Sequence, residues 1–127
     1  MAIIYIVPRP AGARDDEDDK TRYVVSLTRN ADCMFTIRAI DPDTSQPADW
    51  NCDVWVYVGL PGGKEQKVVA TVTGSDAVVR IESEVGNQVK EGAAWQAVRS
   101  LPGSPLSLET PLMVGSFERA DGGVPRV

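Results

Sequence analysis

Between Cys33 and Ile40 the chain alternates. Cys33, Phe35, Ile37 and Ala39 fall on one side of an extended backbone, with Thr36 and Arg38 on the other. The same period of two returns over Cys52–Val58, where Cys52, Val54, Val56 and Val58 share a face and Trp55 and Tyr57 take the opposite one. Segments of this kind fold as strands whose apolar face must be covered by a second layer. The other ordered runs agree with that reading. Ala2–Val7, Tyr23–Leu27, Lys67–Thr73, Ala77–Glu82, Trp95–Leu101 and Leu112–Arg119 are short, largely apolar or β-branched, and set apart by turn residues. Lys67–Thr73 and Ala77–Glu82 are expected to pair across a turn near "GSDA". Only Ser83–Glu91 reads as helix. Ser83 suits its N-cap and Glu84 its positive end, while Gly86 limits it to one or two turns. The expectation is an all-β fold, an antiparallel β-sandwich of about seven or eight strands with one short helix.

A chain of 127 residues holds one such core. Residues 1–22 read as an N-terminal strand and an acidic loop, residues 23–123 as the sandwich, and residues 124–127 as a tail. The opening "MAIIYIVPRP" is a strand and not a targeting segment: its apolar run is six residues long, and an acidic stretch follows it. No run approaches the ~20 apolar residues of a membrane helix, so a soluble protein is expected.

Charge and composition exclude several chemistries. The net charge is −5 and the 13 Lys and Arg are scattered, which argues against nucleic acid and against anionic membrane surfaces. The sequence contains no histidine, which removes Ser-His-Asp and Cys-His nucleophiles and nearly every zinc site. Cys33 and Cys52 lie among apolar neighbours in strand-like segments and read as free thiols, a disulfide remaining open if their strands adjoin.

Five features invite a functional reading. The run "DDEDD" (15–19) is rich in carboxylates but contiguous, without the spacing or glycine of a calcium loop, and reads as a solvated loop. Asp41, Asp43, Asp49 and Asp53 suit turns and strand ends, and nothing fixes two of them across a cleft as glycoside hydrolysis requires. "GLPGGKE" (59–65) lacks phosphate-loop spacing and reads as a hairpin connection. Trp55 and Tyr57 are either a stacking platform for a sugar or part of the architecture, and only exposed rings allow the first. The strand Ala2, Ile3, Ile4, Tyr5, Ile6 and Val7 is a candidate docking strand, able to add to a neighbour's sheet.

Three blocks in order carry a resemblance: "ADWNCDVWVYV" (48–58), "VVATVTGSDAVVRIESEVGNQV" (68–89) and "PLMVGSFERADGG" (111–123). The chain resembles the small β-sandwich domain of actinobacteriophage virion proteins, the LtfC type. It is also loosely similar to the N-terminal anchoring sandwiches of phage baseplate and head-fibre proteins. The resemblance implies a non-enzymatic structural module of the virion, assembled in the bacterial host cytoplasm, without cofactor or metal. It implies phage structural proteins as partners, with the major capsid protein first and tail proteins as the alternative. Copies would form a homo-oligomer or a symmetric array. A minor capsid or head decoration protein is the leading expectation; a tail, baseplate or fibre-anchoring component, or a carbohydrate-binding sandwich for host attachment, is the alternative. The resemblance singles out Asp49 and Trp50 ahead of a strand, and Gly115, Arg119, Asp121 and Gly122 at the end of the last one, with Arg119 and Asp121 fixing that end through a salt bridge or a turn hydrogen bond.

Overall fold

The computed structural model describes residues 2–6, 23–101 and 108–120. Among these residues nine strands, one short helix and one 3-10 turn follow in the order β1 (Ala2–Ile6), β2 (Tyr23–Leu27), β3 (Cys33–Ala39), β4 (Asp53–Leu60), the 3-10 turn (Pro61–Gly63), β5 (Lys64–Val69), β6 (Thr71–Thr73), β7 (Asp76–Ile81), α1 (Ser83–Gly86), β8 (Ala94–Leu101) and β9 (Leu108–Arg119). They form a sandwich of a four-stranded sheet, β1-β3-β7-β6, and a five-stranded sheet, β2-β9-β8-β4-β5. The alternation read from the sequence sets which residues meet between the layers. Phe35 and Ile37 of β3 face Val54, Val56 and Val58 of β4 and Trp95 of β8 in one buried cluster. Phe35 and Trp95 touch across it, with ring centroids 5.5 Å apart and planes tilted by 50°.

Four details depart from the sequence reading. The sandwich is mixed rather than wholly antiparallel: β1 runs parallel to β3, and β2 runs parallel to β9. Both parallel strands are sheet edges, each closing a sheet next to a strand far along the chain. Second, the run 67–73 is two strands. Its alternation continues unbroken, but at Ala70 the chain leaves the five-stranded sheet for the four-stranded one, and the buried Ala70 donates its N–H to the Val54 carbonyl at 2.9 Å. Third, the helix keeps to the one turn allowed for it but is capped one residue earlier than expected. Glu82 stands at its N-cap with no side-chain bond, and the Ser83 N–H is taken instead by Asp32 Oδ1 at 2.9 Å. Fourth, the β6–β7 connection is tighter than "GSDA": Thr73 pairs with Asp76, leaving Gly74 and Ser75 as a two-residue turn in which Gly74 takes φ 58°. The 3-10 turn at Pro61–Gly63 is the expected hairpin connection, with Gly62 and Gly63 both at positive φ.

The crossover at Ala70 orients the sandwich. Because one residue joins β5 to β6, the edges those strands form lie on one side of the molecule. The edges formed by β1 and β2 therefore lie together on the other side.

Candidate docking surface

On β1 the pleat sends Ile4 into the core and leaves Ile3 and Tyr5 outward, 41% and 54% exposed. β3 is its only strand neighbour among the described residues, in the register Ile3–Thr36 and Tyr5–Arg38. Met34 of β3 is exposed on the same outer face, and Val24 of β2 (57% exposed) and Val114 of β9 are exposed on the outer face of the other sheet. The side of the sandwich with the two parallel edges thus carries most of its exposed large apolar side chains, while Val69 of β5 lies on the other side.

A polar row crosses the outer face of the four-stranded sheet from this edge. The Arg38 guanidinium stands 5.7 Å from the Tyr5 ring centroid and donates to both oxygens of Asp76, Nε–Oδ1 at 2.6 Å and Nη2–Oδ2 at 3.1 Å. One strand end away, Arg80 donates to Asp32 Oδ2 at 2.6 Å, and Asp32 also receives the Ser83 N–H. The hydrogen bond from Arg38 holds the Asp76 carboxyl below its usual range, and the bond from Arg80, with that from Ser83, does the same for Asp32. These carboxylates are committed ion-pair partners, not proton carriers. The sequence reading named Ile3 and Tyr5 in the docking strand and set Arg38 on the outer face, but missed the ion pairs and Met34. Met34 did leave a signal, an apolar side chain on the parity of Thr36 and Arg38.

The residues singled out from the sequence serve the frame around this surface. Trp50 is buried at the end of the sandwich: its indole N–H donates to the Ile37 carbonyl at 3.2 Å and its backbone N–H to the Gly74 carbonyl at 3.0 Å. It thereby ties β3 to the β6–β7 turn. Asp49 lies against the same turn, 3.5 Å from where a β-carbon on Gly74 would stand. Gly115 sits where a β-carbon would overlap the Trp95 ring and the Tyr23 carbonyl. Arg119 is buried, with Nη1 donating to the carbonyls of Gly86 and Val89, both at 2.8 Å, while its backbone N–H reaches Glu91 Oε1 at 2.8 Å. It closes the carbonyl end of the helical turn onto the last strand. Val7, the acidic run 15–19, Asp121 and Gly122 lie outside the described residues.

The aromatic pair separates. Trp55, on the outer face of the five-stranded sheet, is only 9% exposed, and Lys67 Nζ stands 4.0 Å from its ring centroid. Tyr57 is half-buried. An indole face already occupied by an ammonium group is not open to a sugar ring. Asp41 accepts the N–H groups of Asp43 and Thr44 at 2.8 and 3.2 Å, which is a turn role. Cys33 and Cys52 are free, and burial raises both thiols above their ordinary range. Among the described residues no three Cys, Asp or Glu side chains are grouped to hold a metal ion, and no helix is long and apolar enough to cross a membrane.

No curated protein matches the sequence. Among solved structures, the chain is similar to the N-terminal domain of phage TP901-1 ORF48, with a TM-score of 0.52 and 11% identity, covering 94% of this chain and 98% of that one. At that identity the likeness speaks for the fold. A protein-family model described as "LtfC-like, beta-sandwich domain" matches residues 19–120, which takes in eight of the nine strands and every buried frame residue named above. The order of blocks around Asp49–Trp50, the Gly74 turn and Gly115–Arg119 is thus accounted for, and the chain belongs to the LtfC-like β-sandwich domain family.

Proposed function

We propose that this chain is a non-enzymatic structural module of a phage particle that docks on other particle proteins on the tail side, at the baseplate or at a fibre attachment. The observation that carries this reading is the two-way coverage of the structural likeness. Nearly all of this chain corresponds to nearly all of a domain that begins a longer phage protein. A sandwich in that position suits holding an appended region to a particle. This favours the tail side over the capsid surface that the sequence reading put first.

The geometry supports docking over catalysis. Among the described residues Asp32 and Asp76 are engaged by arginines and Asp41 by turn N–H groups, both thiols are pushed toward the protonated form, and Ile3 and Tyr5 of β1 and Val24 of β2 are exposed on edge strands. Ile3 and Tyr5 of β1, with Val24 of β2, are the residues through which partner contact is expected. Interfaces of this kind gain from apolar anchors beside open backbone edges.

The test is to separate heads from tails of particles carrying an epitope-tagged copy and to probe each fraction. Recovery with tails is expected. Recovery with heads alone overturns the placement, and absence from both overturns the structural role altogether.

A further inference from the structure

Two features set β1 apart from the other eight strands, its place ahead of the family match and its long connection to β2. A third, its light hold on the core, it shares with β5 and β6. It precedes the segment that the family model matches, which begins at residue 19. It commits few side chains to the core: Ile4 is buried and Ile6 partly so, while Ile3 and Tyr5 point outward. It is joined to β2 by the sixteen residues 7–22, a stretch that spans up to roughly 55 Å when extended.

The slot that β1 fills is well defined. It consists of the backbone edge of β3 in five register pairs from Ala2–Phe35 to Ile6–Ala39, the core position taken by Ile4, the Ile40 N–H donated to the Ile6 carbonyl at 2.9 Å, and Arg38 set over Tyr5. Every copy of the chain presents the same slot and carries the same strand. A β1 arriving from a second copy would make each of these contacts unchanged. The only difference is whether residues 7–22 return to their own sandwich or reach the next.

We propose that β1 is an exchangeable strand, and that copies of this chain join by placing β1 of one copy on the β3 edge of another. Its occupant is fixed by the complementarity already displayed within one chain, the five register pairs, the buried Ile4 and the Tyr5–Arg38 contact. Exchange uncovers no new edge, because each β3 remains covered whichever copy supplies the strand. The inference is independent of where in a particle the protein sits. It gives a physical means for the self-association expected from the sequence.

The register supplies the test. In a background carrying Cys33→Ala and Cys52→Ala, Ile3→Cys is placed on one chain and Thr36→Cys on a second chain bearing a size tag. The two are co-expressed and oxidised with copper-phenanthroline. A single chain carrying both substitutions is the control for geometry and folding, and Tyr5→Cys with Arg38→Cys is the alternative register pair. A disulfide-linked species combining one tagged and one untagged chain, joined through residues 3 and 36, is expected. Closure in the control with no such species between chains overturns the proposal. Light scattering at rising concentration adds a measurement that needs no disulfide. The unmodified chain is expected to associate and a chain lacking residues 1–6 to remain monomeric; a full chain that stays monomeric throughout, or equal association of both, overturns the proposal.

Discussion

Gly115 shows how little freedom the core leaves at single positions. It pairs with Trp95 on β8 and with Tyr23 on β2, and a β-carbon there has nowhere to go: the Trp95 ring is fixed between the sheets, and the Tyr23 carbonyl is backbone. Neither can yield as the tip of a flexible side chain would. Gly115→Ala is therefore expected to lower stability by about 1–3 kcal/mol, the usual cost of forcing extra volume into a packed core. A thermal melt checks this, and an unchanged midpoint would show that Trp95 has another place to sit. Arg119 is the polar counterpart. Its buried guanidinium donates to two carbonyls at and just beyond the end of the helical turn, those of Gly86, which also accepts the Val89 N–H at 3.2 Å, and Val89. A family resemblance could point to Gly115 and Arg119, but their reasons lie in other segments: the ring of residue 95 and the carbonyls of residues 86 and 89.

Between elements, the ion pairs on the outer face join β7 to β3 and to the residue just before β3. Arg38 and Asp76 face each other in register, while Asp32 grips both Arg80 and the first N–H of α1. Both carboxyls titrate lower in the folded protein than in the unfolded chain, where they lie near about 4. The stability they contribute is thus fully present above that value, and it is lost as pH falls through the lower folded-state values. The double variant Asp32→Asn with Asp76→Asn should lose less thermal stability than the parent on acidification below about pH 4; parallel losses would remove these pairs from the account. The elements also show where local pattern stops. Alternation assigned the two faces of β3 and β4, because one buried face dictates parity within a single strand. It could not mark the break at Ala70, since alanine fits either sheet and the alternation passes through it. Nor could it reveal that β2 pairs in parallel with β9, where Ser26 Oγ donates to Glu118 Oε1 across 92 residues of sequence. Partner choice is made by contacts the local sequence does not contain. That Tyr5 meets Arg38, and Arg38 meets Asp76, stayed illegible for the same reason, although the outward faces of β1 and β3 were read.

Across the whole molecule, the two ends of the described chain carry unequal weight. β1 covers one edge and buries chiefly Ile4, a contribution of about 1.5–3 kcal/mol from that side chain. β9 lies inside its sheet between β2 and β8 and brings in Phe117 and Arg119, and Phe117 exchanges backbone bonds with Gly92 and Ala93. Removing Phe117 alone would cost about 3–5 kcal/mol. Losing the strand would also strip β2 of its only strand partner among the described residues and expose Trp95 and Leu27. The total then matches or exceeds the ~5–15 kcal/mol by which domains of this size are stable. A chain ending at residue 107 is therefore expected to lose its cooperative thermal transition and its dispersed amide NMR spectrum. A chain starting at residue 7 should keep both, with a lower midpoint. If the C-terminal deletion still melted cooperatively, β9 would not be what holds the five-stranded sheet together. If the N-terminal deletion did not melt cooperatively, β1 would be a constituent of the core rather than a strand free to be exchanged.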